Sequence, residues 1–400
     1  MKKLKIGIIG FGKHGSHYVR RYLETSDCKD IELVAIAENN PTRLAYAKEH
    51  LENVVLFSDA IEMLDSGLID ACQIVVPHFE HFKYIEECFK RGIHVLCEKP
   101  LCVDSISARK IIKMHDDYKD VVFGVMLNQR TNCIYRKLKE LIDNNTYGKV
   151  RRINWEITDW YRTQTYFNES YWHGTWIGEG GGLFINQAIH QLDLWQWLFG
   201  MPDKVSAKLS YGAKHDIETD DEGIVYFEYK NGIKGVFISS TNEVCGVNRL
   251  EIYTEKAKIL VENKKIIVNE VIENSEDLEN DYRRMYKKPK SKVYEVETDG
   301  FDPKHEGVVN DFAKAILNNE ELKIDAKEGL NSVILCNAIY LSNFMNSDIE
   351  IPFDEELYLE KLNEKRKNSE YRQNARDSLY GILSSYDDST PTGYNNAIKN

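Results

Sequence analysis

Leu4-Lys5-Ile6-Gly7-Ile8-Ile9-Gly10-Phe11-Gly12-Lys13-His14-Gly15 is a short apolar run that passes directly into a G-x-G-x-x-G pattern, and a stretch of helical period over 15–23 follows. Gly10 permits the tight turn, Gly12 lets the backbone approach a pyrophosphate, and Gly15 lets helix and strand pack closely, with the helix N-terminus facing the anion. Phe11, Lys13 and His14 share this loop and are expected to touch the same ligand. Glu38 ends the second apolar run, where an acidic residue hydrogen-bonds the adenosine ribose hydroxyls. A carboxylate there repels a 2′-phosphate, so NAD is expected over NADP, with nearby Arg43 the one feature that keeps NADP open.

Outward from this loop, apolar runs at 31–37, 54–57, 69–76, 94–97 and 121–125 alternate with helical stretches at 42–51, 81–91 and 105–118. A parallel strand buried between helices reads as a short continuous apolar run, so the fold class is α/β, with an N-terminal Rossmann domain of doubly wound parallel sheet. A helix over 133–144 then leads into β-rich runs at 150–158, 223–229 and 233–240. The last two flank Lys230-Asn231-Gly232, a hairpin signal in which both residues of the Asn-Gly pair are expected at positive φ. This predicts a C-terminal α/β domain with a large, mainly antiparallel open sheet, one early helix over 182–198 and closing helices over 306–318 and 327–343. The expected division is a cofactor domain over 1–127, a substrate and oligomerisation domain over 128–357, and a polar, partly ordered tail over 358–400.

Composition narrows the function classes. The 400 residues carry 52 Lys and Arg against 64 Asp and Glu, a net charge of −12, which disfavours a nucleic-acid partner. Nothing approaches the roughly 18 consecutive apolar residues of a membrane span, and the apolar start is broken by Lys5 and by glycines, which argues against an export signal. The 8 cysteines form no Cys-x-x-Cys pair, a usage that suits a reducing cytoplasm and no structural zinc. The acidic run from His215 to Glu222 lacks tight ligand spacing and reads as a solvated turn, so no metal is expected.

Two clusters carry chemistry. The fifth apolar run ends in Cys97-Glu98-Lys99-Pro100, and ligands of open α/β sheets bind outside the carboxyl ends of the strands. Lys99 there can hold a reacting hydroxyl or carbonyl oxygen and stabilise its charge. The run Glu179-Gly180-Gly181-Gly182 leads into Asn186, Gln187, His190 and Asp193, and on a helix Asn186, His190 and Asp193 share one face. His190 is the natural base for a hydroxyl proton, the plain alternative being a core histidine capped by Asp193.

The glycine loop, Glu98-Lys99-Pro100 and the Gly-Gly-x7-His-x-x-Asp pattern together resemble the glucose-fructose oxidoreductase / inositol dehydrogenase / rhizopine catabolism (Gfo/Idh/MocA) family over about 3–355. Segments 77–81 and 92–94 and the pair Gln129-Arg130 also look like the family. The resemblance implies Pro77, His81, Glu98 and Lys99 at the cofactor and Arg130 at the substrate. It further implies a homodimer or homotetramer, and hydride transfer between a sugar or polyol hydroxyl and nicotinamide with Lys99 and His190 at the chemistry. Many members carry Asp four residues before the histidine, whereas this chain has Asn186. An amide cannot take a proton, so Asn186 can orient but not relay, and the base role passes to His190.

All 6 tryptophans fall between 155 and 197, beside the proposed catalytic stretch. A sugar ring offers an apolar C–H face and a polar rim, so Tyr161, Arg162, Trp172 and Trp176 are expected to line its site together with Lys99, Asn186, Gln187 and His190. Trp155, Trp195 and Trp197 are expected in the core. The leading expectation is an NAD-dependent dehydrogenase acting on a secondary hydroxyl of a sugar, glycoside or anhydrosugar. The alternatives are redox-neutral glycoside cleavage through a transient keto-sugar with tightly bound NAD, and a non-catalytic sugar or cofactor sensor.

Overall fold

The computed structural model describes residues 3–24, 27–274, 285–286 and 288–373. Six parallel strands, β1 (Leu4–Ile9), β2 (Ile31–Ala37), β3 (Val55–Phe57), β4 (Ala71–Ile74), β5 (His94–Cys97) and β6 (Phe123–Val125), form a sheet in the order β3-β2-β1-β4-β5-β6. The order reverses between β1 and β4, the crevice where open α/β sheets bind ligands. Asn40 caps the Pro41–His50 helix by accepting from the amides of Thr42 and Arg43, and Asp104 caps Ser105–His115 by accepting from the Ser107 amide. Both helices therefore start where the backbone donors would otherwise lack partners.

The second sheet has nine strands: β7 (Val150–Ile157), β8 (Lys204–Tyr211), β9 (Asp220–Glu228), β10 (Lys234–Ser240), β11 (Asn248–Thr254), β12 (Ala257–Glu262), β13 (Lys265–Val271), β14 (Ser291–Val296) and β15 (Ile349–Glu350). Their order is β14-β13-β12-β11-β7-β10-β9-β8-β15, antiparallel throughout except for the β7–β10 pair. The β9–β10 hairpin departs from expectation: only Gly232 has positive φ, at +91°. Gly232 N–H bonds Tyr229 O at 2.9 Å and Tyr229 N–H bonds Ile233 O at 3.1 Å. That is a three-residue loop whose last residue takes up the twist, rather than a two-residue turn. The β12–β13 connection is the tight two-residue form, with Asn263 and Lys264 at φ 51° and 60°.

Each sheet has its own core. Val308, Val309 and Phe312 of the Lys304–Asn318 helix pack into the first core, which is thus not confined to residues 1–127. Trp155 and Trp195 are fully buried in the second with Phe227 and Phe237, whereas Trp197 is half-buried under the Arg130 guanidinium and the Lys139 ammonium. The expected tail begins as a helix, Glu355–Lys367, whose Tyr358 and Leu362 join the second core. Residues 374–400 of that expected tail lie outside the described residues.

Candidate active site

The loop after β1 is held by contacts that only glycines admit. Gly10 has φ +99°, and a methyl group on it would sit 2.2 Å from the Val75 carbonyl oxygen; one on Gly15 would sit 1.9 Å from Gly10 O. Glu38, 5% exposed at the end of β2, fastens the loop: its carboxylate accepts from Phe11 N at 2.7 Å and from Asn40 N at 2.8 Å. The Arg43 guanidinium lies 3.9 Å from the same carboxylate. Phe11 contributes this backbone amide while its ring is buried in the first core.

This loop forms one wall of a cavity of about 1100 Å³ that runs between the two sheets' domains. That exceeds the roughly 300–1,000 Å³ of ordinary small-molecule sites and leaves room for a dinucleotide and a second molecule. The glycine cradle, Glu38, Arg43 and Pro77 line it, as do Lys99, Arg162, Trp172, Asn186, Gln187 and His190. Lys13 of the loop pairs with Glu169 of the far wall at 3.2 Å. A cradle that a Cβ would fill, opening onto a carboxylate at the end of β2, fits an NAD molecule.

Lys99 follows β5, and its ammonium donates to Asn186 O at 2.8 Å and Asn186 Oδ1 at 3.2 Å. Burial lowers its pKa, opposed by Glu98 and Glu179. Glu98 is itself tied down by the Tyr18 hydroxyl and by Lys99 N at 3.2 Å. The Asn186 amide nitrogen donates in turn to Glu179, whose other oxygen accepts from Gly174 N at 2.6 Å. Burial pushes the Glu179 carboxyl up to about 8. His190 also faces the cavity; its Nδ1 is buried without a protein partner. Burial, then the Lys99 and His14 charges, hold its pKa well below the ordinary histidine range, so the ring is neutral at pH 7.

Several expected placements are corrected. The helix over 182–198 is two helices, Leu183–Asn186 and Ile189–Phe199, broken at Gln187 and Ala188, so Asn186 and His190 face the cavity from separate elements. Asp193 caps no histidine: it accepts from Arg130 Nε at 2.8 Å and Nη2 at 2.7 Å. Arg130, also bonded to Glu328 at 2.7 Å, is thereby consumed in the interior and does not line the cavity. Trp176 is buried among Tyr211, Tyr340 and Phe344, with its indole N–H on Glu218 O at 3.0 Å, and Tyr161 turns outward under the Lys214 ammonium. His81 lies behind the wall, its nitrogens bonded to Pro100 O and Val76 O.

The acidic run is no solvated turn either. His215, Thr219, Asp220 and Asp221 are buried, and Asp220 accepts from Gly182 N, Phe184 N and the Tyr340 hydroxyl. Those bonds draw the glycine run onto β9, where a methyl on Gly182 would meet Asp220 O at 2.2 Å. Among the described residues no group of three or more His, Cys, Asp or Glu is placed to hold a metal ion.

Sequence reasoning assigned no role to Glu179, although it stands next to the glycine run. It also missed Tyr166, whose hydroxyl accepts from Gln187 and whose ring stacks on His173 at 5.1 Å, and His305, which reaches the cavity from a helix far along the chain.

Residues 4–125 match a family model described as an oxidoreductase family with an NAD-binding Rossmann fold, and residues 135–260 match the GFO/IDH/MocA C-terminal domain. Among curated proteins, the myo-inositol 2-dehydrogenase of Thermotoga maritima is 27% identical over 65% of this chain and 75% of its own length. Among solved structures, the WlbA dehydrogenase of Bordetella pertussis, in complex with NADH and UDP-GlcNAcA, superposes with a TM-score of 0.74 at 24% identity over 88% of this chain and 100% of its own. A levoglucosan dehydrogenase in complex with NADH and levoglucosan gives 0.71 at 19% identity, over 88% and 100%. At these identities the two structures speak for the fold. Among the described residues no helix is long and apolar enough to cross a membrane.

Proposed function

This chain belongs to the GFO/IDH/MocA family of NAD-binding oxidoreductases, and from that premise we propose that it oxidises a secondary hydroxyl of a sugar, glycoside or anhydrosugar. It is an NAD-dependent oxidoreductase acting on CH–OH groups; the sugar class and the residue roles are the proposed part. The observation that carries the reading is a half-buried ammonium, Lys99, bonded to Asn186 in a cavity that a neutral histidine, His190, also lines.

When bound, NAD supplies the nicotinamide that accepts hydride from the substrate carbon. Lys99 donates a hydrogen bond to the reacting oxygen, and its charge favours the build-up of negative charge there. His190 takes the hydroxyl proton on a ring nitrogen presented to the cavity, a transfer open to it because the ring is neutral. Asn186 fixes the ammonium from two sides and, as an amide, leaves proton transfer to His190. Glu38 meets the adenosine ribose, with Arg43 beside it. Trp172, packed edge-on to His78 at 5.3 Å, supplies a flat apolar face suited to a sugar ring. The ligands named for the relatives, inositol, levoglucosan and a nucleotide sugar, are all polyhydroxylated rings, which supports the substrate class. Eight free cysteines support a reducing, cytosolic setting.

The test is incubation of the purified chain with NAD and a panel of free sugars, polyols, glycosides and anhydrosugars, following nicotinamide reduction and released products. Reduction with one class is expected. Product release without net reduction, or silence in both channels, overturns the reading.

A further inference from the structure

The chain after the Glu355–Lys367 helix is tied by Ser369, Glu370 and Arg372 to the segment that carries Trp172 and to the stretch from Asp216 to Glu218. Ser369, 7% exposed, accepts from Ile177 N at 3.0 Å and bonds the Glu218 carboxylate. Glu370 N donates to Glu218 at 3.3 Å, and Arg372 N donates to Tyr171 O at 2.9 Å. The Arg372 guanidinium donates to His173 O and Asn168 Oδ1, both at 3.0 Å, and to Asp216 O. Three acceptors from separate parts of the chain are thus gathered by one planar donor fork, which a lysine could not reproduce. Between these anchors Tyr371 lines the cavity, its ring packed edge-on against that of Tyr171 at 5.4 Å and 61°. Both rings keep exposed surface, 44% and 40%. Trp172 and His173 lie on the segment that Arg372 holds.

We propose that residues 369–372 build one wall of the substrate site, with Tyr371 and Tyr171 forming an aromatic contact for the apolar face of the sugar or its substituent, and Arg372 positioning the segment that carries Trp172 and His173. This rests on the sugar reading given above. The wall is assembled from a segment distant in sequence from the catalytic residues, so it bears on which sugar is accepted rather than on the hydride step. An aromatic face of this kind adds the equivalent of roughly three- to tenfold in affinity.

The experiment uses the full chain. With a sugar that the parent oxidises, Tyr371→Ala is expected to raise KM for that sugar roughly three- to tenfold, with a smaller change in kcat and in NADH affinity read by protein fluorescence; Tyr371→Phe is expected to recover most of the loss. Arg372→Ala is expected to speed hydrogen exchange at the amides of 172–177 while the strands of the first sheet exchange as in the parent. Unchanged KM in Tyr371→Ala, or equal losses in KM and NADH affinity, overturns the aromatic contact. Unchanged exchange at 172–177 overturns the positioning role. If the parent oxidises no sugar, the functional reading fails by itself, and the exchange result still decides whether this segment holds the wall.

Discussion

Glu179 stands directly behind Asn186: its carboxylate accepts from the same amide group whose oxygen faces the Lys99 ammonium. Asn186 offers no carboxylate four residues before His190, and a buried one lies a single side chain further back. Lys99, Asn186 and Glu179 thus form one hydrogen-bonded line from the cavity into the interior.

That line makes stability depend on pH. The Glu179 pKa rises from 4.5 to about 8 on folding, so between those values the folded state holds a proton that the unfolded chain has released. Its contribution to stability therefore falls as pH rises through that window. Glu179→Gln carries no such charge, so its melting temperature is expected to gain on the parent as pH goes from about 5 to about 8. Parallel curves of Tm against pH for the two proteins would show that Glu179 ionises as an exposed acid does.

Lys99→Ala removes the only charge assigned to the reacting oxygen. A fall in kcat on the order of 100-fold is expected, the usual cost of losing one donor to a developing oxyanion. Equilibrium NADH binding should change far less. Turnover within threefold of the parent would end the role assigned to Lys99.

Glu38→Ala takes two backbone amides' acceptor and the proposed ribose contact away together. NAD affinity is expected to drop about tenfold or more, since hydrogen bonds to a charged group are worth about 1.5–3 kcal/mol. The ratio of NADP to NAD turnover should rise, because Arg43, 3.9 Å from the lost carboxylate, then faces a 2′-phosphate without competition. An unchanged ratio would remove Glu38 from the ribose.

Arg130→Met separates structural from substrate-binding roles. It strands Asp193, 1% exposed, with the Gln196 amide as its remaining side-chain donor. Breaking a buried pair in this way costs about 3–5 kcal/mol, which denaturant titration would read directly. A variant of unchanged stability but raised sugar KM would return Arg130 to the substrate site.

Much of the first domain was legible because its signals are local. Gly15 is required by the Gly10 carbonyl five residues earlier and Gly10 by a turn at φ +99°, and Lys99 sits at a strand end that the alternation of runs alone locates. The second domain was less so. Trp172 and Trp176 are four residues apart with similar neighbours, yet one lines the cavity and the other packs on Tyr340, some 160 positions away. Asp220 read as part of a solvated turn because its partners, Gly182, Phe184 and Tyr340, come from two other segments.

The sequence by itself determined the cofactor fold and the glycine cradle with Glu38 at its edge, because these follow from backbone sterics and from the alternation of runs along the chain, whereas Lys99, Asn186 and His190 were grouped through the resemblance to a family. Only the tertiary structure decided which polar groups the interior consumes and which stay at the cavity. Arg130 went to Asp193, Glu179 came to lie behind Asn186, and Tyr371 reached the cavity from beyond the last expected helix. Those outcomes depend on which distant partners meet when two sheets pack, and a buried charge or donor is satisfied by whatever group that packing brings within hydrogen-bond reach.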